Sequence, residues 1–262
     1  MKSIQVKNIM TKKILSAQTD DIVLDVAKLM YKNNIGSVII KAGEIPLGII
    51  TERDIAHNCV MGQKNILSTK TDDIMSEPII CIDENATVVH ACSFLSEKNI
   101  KKLAVTNDDE EIIGVVTMTD IINNVGKLHL KKEKIKVFHI KNVMTKGILY
   151  LDYNKDISNV IDLMVRENVG SVVLTVDNVA EGIITERDIV KNFVVGKKNF
   201  MKMKAKDVMS KPLIKTNENS TIIGAAHIMK KKNIKKLIVG KENKITGIMT
   251  QTDIIHNIKN LV

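Results

Sequence analysis

Most residues of this chain that could do chemistry sit in four copies of one short pattern. A Gly is followed by two apolar residues, a Thr and, three residues on, an Asp: Gly48 to Asp54, Gly114 to Asp120, Gly182 to Asp188 and Gly247 to Asp253. The Thr-x-x-Asp spacing is that of a near capping box, in which the Thr side chain accepts from a backbone N–H and the acid reaches back to the cap. The same residues suit a second use. The carboxylates of Asp54, Asp120, Asp188 and Asp253 each have two acceptor oxygens, which match a cis-diol, and the hydroxyls of Thr51, Thr117, Thr185 and Thr250 stand beside them. A helix starting there would add a positive field for phosphate. Both uses are open on the sequence. Inside two of the boxes lie Arg53 and Arg187, which with Arg166 are the only arginines. A guanidinium offers planar, bidentate and permanently charged contact to phosphate. The alternative is an exposed arginine, or one paired with Glu52 or Glu186 in its own turn.

The elements that must position these groups come from self-comparison. Gly48-Ile-Ile-Thr-Glu-Arg-Asp-Ile55 recurs letter for letter at Gly182 to Ile189, and Lys98-Asn-Ile-Lys-Lys-Leu103 recurs at Lys232 to Leu237, both offset by 134 residues. Within each half a weaker repeat of roughly 65 residues opens on a Met box (Lys7 to Met10, Asp72 to Met75, Lys141 to Met144, Lys206 to Met209) and closes on the Thr-x-x-Asp box. Four repeats thus stand in an ABAB order. In repeats 1 and 3, residues Val23, Val26, Ala27, Leu29 and Met30, and Ile157, Val160, Ile161, Met164 and Val165, have helical spacing. Apolar runs of strand type follow at Ser37 to Ile40, Leu103 to Val105, Ser171 to Leu174 and Leu237 to Val239, then turn residues, a second such run and a terminal helix. Each repeat reads β-α-β-β-α. About 60 residues bury too little surface to stand alone, so pairing of repeats is expected. The Met-box methionines, amid apolar neighbours, are most simply core fillers.

The period, the element order, the Met box and the closing box together resemble the CBS domain family, and the resemblance covers all but a basic linker. It implies an α/β fold of the α+β kind: four CBS units in two tandem Bateman modules, pseudo-symmetric, at 1–64, 65–126, 139–198 and 199–262, with the linker at 127–138. It also implies a small-molecule sensor whose clefts between paired domains take adenosine-containing ligands, namely AMP, ADP, ATP, S-adenosylmethionine or NAD. The aspartates would then hold a ribose, with the threonines near ribose or phosphate. In repeats 2 and 4 the box becomes T-x-T-D, and the resemblance makes Thr119 and Thr252 further ribose or phosphate donors. There Lys101, Lys102, Lys235 and Lys236 precede the strand, where related domains place basic residues near phosphates. Repeats 1 and 3 have Gly36, Ser37, Gly170 and Ser171 instead, small enough for a ring or backbone to approach.

Composition bounds the rest. The chain has 262 residues, 44% of them hydrophobic and 3% aromatic, with 39 Lys and Arg against 30 Asp and Glu and a net charge of +9. That positive excess fits either a solvated surface or a polyanion. No apolar run approaches the roughly 18 residues of a membrane span, and MKSIQVKNIMTKK has no apolar core of a signal peptide behind it. A cytoplasmic protein is expected. Cys59, Cys81 and Cys92 form no CxxC and read as inert thiols in a reducing compartment. His57, His90, His129, His139, His227 and His256 show no metal-binding spacing, and no P-loop, GxGxxG or nucleophile elbow is present. A non-enzymatic regulator, with an adenine nucleotide or adenosyl ligand as effector and no catalytic cofactor, is the expectation. Its output would be a separate effector protein or a homodimer. The competing reading is a nucleic-acid-binding module, against which the absence of Trp and the scattering of Tyr31, Tyr150, Tyr153 and four Phe count.

Overall fold

A computed structural model describes residues 3–62, 64–128, 138–177, 179–194, 200–241 and 244–258. Repeat 1 comprises β1 (Ser16–Gln18), α1 (Val23–Asn33), β2 (Ser37–Ala42), β3 (Ile45–Thr51) and α2 (Glu52–Ile55). Repeat 2 comprises β4 (Cys81–Asp83), α3 (Val88–Glu97), β5 (Lys102–Thr106), β6 (Ile112–Thr117) and α4 (Met118–Asn124). Repeat 3 comprises β7 (Tyr150–Asp152), α5 (Ile157–Arg166), β8 (Ser171–Val176), β9 (Val179–Thr185) and α6 (Glu186–Val194). Repeat 4 comprises β10 (Lys215–Thr216), α7 (Ile222–Lys232), β11 (Lys236–Lys241), β12 (Lys244–Thr250) and α8 (Gln251–Ile258). All four follow the expected β-α-β-β-α order.

The local reasons repeat with the sequence. In every repeat the first strand pairs parallel with the second, which requires the intervening helix as crossover, and the second pairs antiparallel with the third through a bulge. The first helix of each repeat stops where Asn34, Asn99, Asn168 or Asn233 adopts a left-handed conformation, with φ between 51° and 53°, a conformation that Asn tolerates and that satisfies the last carbonyls. The helices bury most of each stripe read from spacing, Val23, Val26, Ala27 and Met30 in α1 and Ile157, Val160, Ile161 and Met164 in α5, whereas Leu29 is only partly buried and Val165 is exposed at the edge of its face.

The fold groups the repeats into two compact units, each holding one repeat from each half of the chain. Unit I contains the residues up to Ile14, Ile80–Ile148 and those from Ile214 onward; unit II contains Leu15–Ile79 and Leu149–Leu213. Unit I has one continuous core, running from Leu95, Leu103 and Ile121 of repeat 2 to Ile222, Leu237 and Ile254 of repeat 4. Unit II has two clusters that exchange a residue: Val190 of repeat 3 packs with repeat 1, and Val60 of repeat 1 packs with repeat 3. Most of the basic linker, residues 129–137, lies outside the described residues. Charge divides unequally. The segments of unit I carry 23 Lys and Arg against 12 Asp and Glu, a net of +11, and those of unit II carry 16 against 18, a net of −2.

Candidate functional site

The Thr-x-x-Asp box is a capping box in all four repeats. Thr51 donates from its backbone N–H and its hydroxyl to Asp54 Oδ2 at 2.7 and 2.6 Å, and Asp54 N–H returns to Thr51 Oγ1. Thr117 and Asp120, Thr185 and Asp188, and Thr250 and Asp253 repeat this arrangement. One carboxylate oxygen is thereby committed to the helix start. The second is not part of the cap and is left able to accept a further hydrogen bond.

A segment not singled out from the sequence reaches that second oxygen. The residue after each Met-box methionine is Thr11, Ser76, Thr145 or Ser210, a hydroxyl in all four repeats. Ser76 donates to Asp54 Oδ1 at 3.1 Å, Ser210 to Asp188 Oδ1 at 2.9 Å and Thr11 to Asp120 Oδ1 at 3.4 Å. The backbone explains how they arrive. Each hydroxyl residue exchanges two hydrogen bonds with the residue after the box Gly, as Ser76 does with Ile49 at 2.9 and 3.0 Å and Thr145 with Ile248 at 3.0 and 2.9 Å. The methionine itself, fixed by one helical turn from the residue four before it, lies on that Gly. A Cβ on Gly48 would meet the Ser76 carbonyl at 2.8 Å and the Met75 sulfur at 2.9 Å; on Gly247 it would meet the Thr145 carbonyl at 2.8 Å and the Met144 sulfur at 2.7 Å. Met10 covers Gly114 and Met209 covers Gly182 in the same way. The methionines do fill space, but their specific role is to dock the opening box of one repeat on the closing box of another: Met10 of repeat 1 on repeat 2, Met75 of repeat 2 on repeat 1. A recurring Met-Ser/Thr dipeptide was the available signal. A second recurrence is Asn58, Asn124, Asn192 and Asn257, each donating to the carbonyl of the box aspartate four residues before it at 2.8 to 2.9 Å.

In unit II the starts of α2 and α6 face each other. Arg53 Nη1 meets Glu186 Oε1 at 3.3 Å and Arg53 Nη2 donates to Asn168 Oδ1 at 2.5 Å, while Arg187 Nε donates to Glu52 Oε1 at 2.6 Å. The acids expected as alternative partners are the right ones, but each belongs to the other half of the chain and not to the arginine's own turn. A glutamate that opens a helix projects away from its neighbour one residue on, whereas the facing helix presents its arginine directly. Glu186 also lies 3.6 Å from His57 Nε2, a buried nitrogen with no hydrogen-bond partner. The space beside Gly170 is taken by the Glu186 carboxylate, 3.3 Å from where a Cβ would stand, so a side chain of the protein makes the close approach expected there. Ser37 and Ser171 start β2 and β8 opposite Thr51 and Thr185, and Gly36 O accepts from Glu52 N–H at 3.4 Å.

Unit I builds the same junction without charge. Thr119 donates to Gln251 Oε1 at 3.1 Å and Thr252 lies 3.7 Å from the Met118 sulfur, with Gln251 and Met118 buried. Both hydroxyls thus face the opposite repeat. Lys101 and Lys235 sit where Gly36 and Gly170 sit in unit II, their carbonyls each accepting the first N–H of α4 or α8 at 3.1 Å. Lys102 and Lys236 start β5 and β11 opposite Thr117 and Thr250. Burial pushes the carboxyls of Asp120 and Asp253 above the usual aspartate range, against the lowering effect of the Thr117 and Thr250 hydrogen bonds and, at Asp253, of nearby His256 and Lys236. Burial pushes the Cys59 thiol up to about 11 and the Cys92 thiol up to about 12, which keeps both protonated. Among the described residues no group of three His, Cys, Asp or Glu could hold a metal ion, and no helix is long and apolar enough to cross a membrane.

Comparison with known proteins agrees with this construction. A family model for the CBS domain matches residues 6–60, 72–127, 140–195 and 205–260. Protein MK0525 of Methanopyrus kandleri is 33% identical over 123 residues, 47% of this chain and 63% of the relative. The mitochondrial CBS domain-containing protein CBSX3 of Arabidopsis thaliana is 32% identical over 123 residues, 45% of this chain and 58% of the relative. Protein MJ1404 of Methanocaldococcus jannaschii is 24% identical and covers 98% of this chain and 62% of its own. The chain thus spans about three fifths of the length of these relatives. Among solved structures, protein MJ1225 of Methanocaldococcus jannaschii has the same fold, with a TM-score of 0.82, 22% identity and coverage of 97% of this chain and all of that one. Four capping boxes, each met by the Met box of another repeat, and four matches to one family model place this chain in the CBS domain family.

Proposed function

We propose that this protein is a non-enzymatic regulatory sensor that binds adenosine-containing small molecules at its Thr-x-x-Asp boxes and passes their occupancy to a separate effector protein. The observation that carries the reading is the state of the four carboxylates. Asp54, Asp120, Asp188 and Asp253 each hold one oxygen in a cap and keep the other outside it. That second oxygen accepts from a Ser or Thr hydroxyl in three cases, and a ribose diol can replace or extend that bond. A ligand that binds one arrangement of the repeats better than another shifts the population between them by its difference in affinity, and that shift is the signal.

Isothermal titration with AMP, ADP, ATP, S-adenosylmethionine and NAD tests the reading. Binding of at least one, weakened tenfold or more in the Asp54→Ala/Asp120→Ala variant, is the expected result. No heat and no thermal shift with any member, or binding indifferent to the aspartates, overturns it.

A further inference from the structure

We infer that in unit II a bound ribose competes with two hydroxyls of the protein itself: Ser76 and Ser210 must leave the carboxylates of Asp54 and Asp188 before a cis-diol can be held, and their release carries occupancy to the points where the chain passes into unit I. This rests on the reading of the boxes as adenosine sites and adds what regulates them.

Each oxygen of a carboxylate offers about two acceptor positions. In every box Oδ2 fills both of its own, one with the backbone N–H of the Thr and one with its hydroxyl. The remaining positions are on Oδ1, and a ribose that donates both vicinal hydroxyls needs the pair. On Asp54 and Asp188 one of the pair is already taken, by Ser76 at 3.1 Å and by Ser210 at 2.9 Å. On Asp120 the Thr11 bond is longer, 3.4 Å. On Asp253, Oδ1 accepts no hydrogen bond from the described residues, although Thr145 is docked by the same backbone pair as the others. Burial pushes up the carboxyls of Asp120 and Asp253, and these are the two with the weaker set of donors, which would favour the ionised form. Ser76 and Ser210 are exposed, so water takes over their hydroxyls at little cost once a diol displaces them.

The position of the serines gives their release a consequence. The chain passes between the two units after Ile14, Ile79, Ile148 and Leu213, and each passage comes three residues after one of the docked hydroxyl residues Thr11, Ser76, Thr145 and Ser210. Beyond Ser76, whose backbone is paired with Ile49, the Ile79 N–H donates to the Leu47 carbonyl at 2.9 Å. The segment from Ser76 to the passage is thus a short tether along β3. A diol that takes the place of the Ser76 hydroxyl removes one of its few anchors.

The test is calorimetric titration of the full chain with adenosine, the part common to the candidate ligands, and with 2′-deoxyadenosine, which lacks one of the two vicinal hydroxyls. An Asp120→Asn/Asp253→Asn background leaves the boxes of unit II to report. There Ser76→Ala/Ser210→Ala should tighten adenosine about three- to tenfold, the worth of one ordinary hydrogen bond, and leave 2′-deoxyadenosine within about twofold. Ser76→Thr/Ser210→Thr, which keeps the hydroxyls, should bind adenosine as the serines do, and circular dichroism of each variant reports folding. Hydrogen exchange needs no variant: in the unaltered chain the Ile79 amide should exchange faster once adenosine is added. Adenosine affinity unchanged or weakened by the alanines, equal tightening of both nucleosides, or Ile79 exchange indifferent to adenosine overturns the inference and leaves the sensor reading intact. An unaltered chain that binds AMP or S-adenosylmethionine but not adenosine overturns it as well, and one that binds none of them overturns both.

Discussion

Unit I and unit II differ least where the backbone is held and most where two helix starts meet. In both, a Thr caps the last helix of each repeat, an Asp returns the bond, and a Met-Ser or Met-Thr segment lies on the box Gly. Those contacts use the first, fourth and seventh positions of G-x-x-T-x-x-D. The two positions between Thr and Asp face the other repeat of the unit, and there the units diverge: Glu-Arg against Glu-Arg in unit II, Met-Thr against Gln-Thr in unit I. A duplicated junction of this kind satisfies itself across a pseudo-two-fold relation, because a residue that suits its counterpart in one direction suits it in the other. The frame is therefore built by residues that all four boxes share, and the chemistry by those that only two share.

The sharpest way to break this comparison is to strike the shared part. Gly48→Ala in unit II and Gly247→Ala in unit I each drive a methyl against a backbone carbonyl that is itself held by reciprocal hydrogen bonds. Both should lose about 2–3 kcal/mol of stability in urea unfolding, and Gly182→Ala less, because the Ser210 carbonyl there stands farther off, at 3.2 Å, and the remaining obstacle is the flexible Met209 thioether. A large loss in one unit alone would show that the docking is not common to both.

The second experiment addresses the difference. A double-mutant cycle on Glu52→Gln and Arg187→Lys should give a coupling of about 1 kcal/mol that falls with added salt, since the arginine is 39% exposed and the glutamate 15%. The matching cycle on Thr119→Val and Gln251→Leu in unit I should show no salt dependence. The smallest effect concerns pH. The folded-state pKa of Asp120 and Asp253 is raised, so the ionised forms weaken the fold and the protonated forms strengthen it. Their contribution is fully present below the unfolded value of 3.8 and is lost as pH rises through the raised folded value. Relative to Asp120→Asn/Asp253→Asn, the unaltered chain should gain stability as pH falls from 7 toward 4, read as a shift in urea midpoint.

Much of this was legible in the residues. Offsets of 134 announced the duplication, helical spacing located α1 and α5 to within a residue, and the Thr-x-x-Asp spacing implied the capping box that all four repeats form. These features are local, and local geometry leaves a local pattern. The hydroxyls of Thr11, Ser76, Thr145 and Ser210 were missed although they recur, because a Ser or Thr after an apolar residue has no distinctive spacing of its own. Their role exists only once Met10 lies on Gly114 or Met75 on Gly48, some 27 to 104 residues apart in the chain. The partner of each arginine was misplaced for a related reason: Glu52 is one residue from Arg53, and nothing in one copy of the box says that its glutamate serves the other copy.

The sequence alone determined how many repeats there are, the order of their elements, and the residue types at each box. Tertiary structure decided which repeat meets which, because identical boxes in a duplicated chain are interchangeable as sequence. Burial of one repeat's apolar surface on another, and the fit of a methionine over a glycine, choose among pairings that periodicity cannot tell apart.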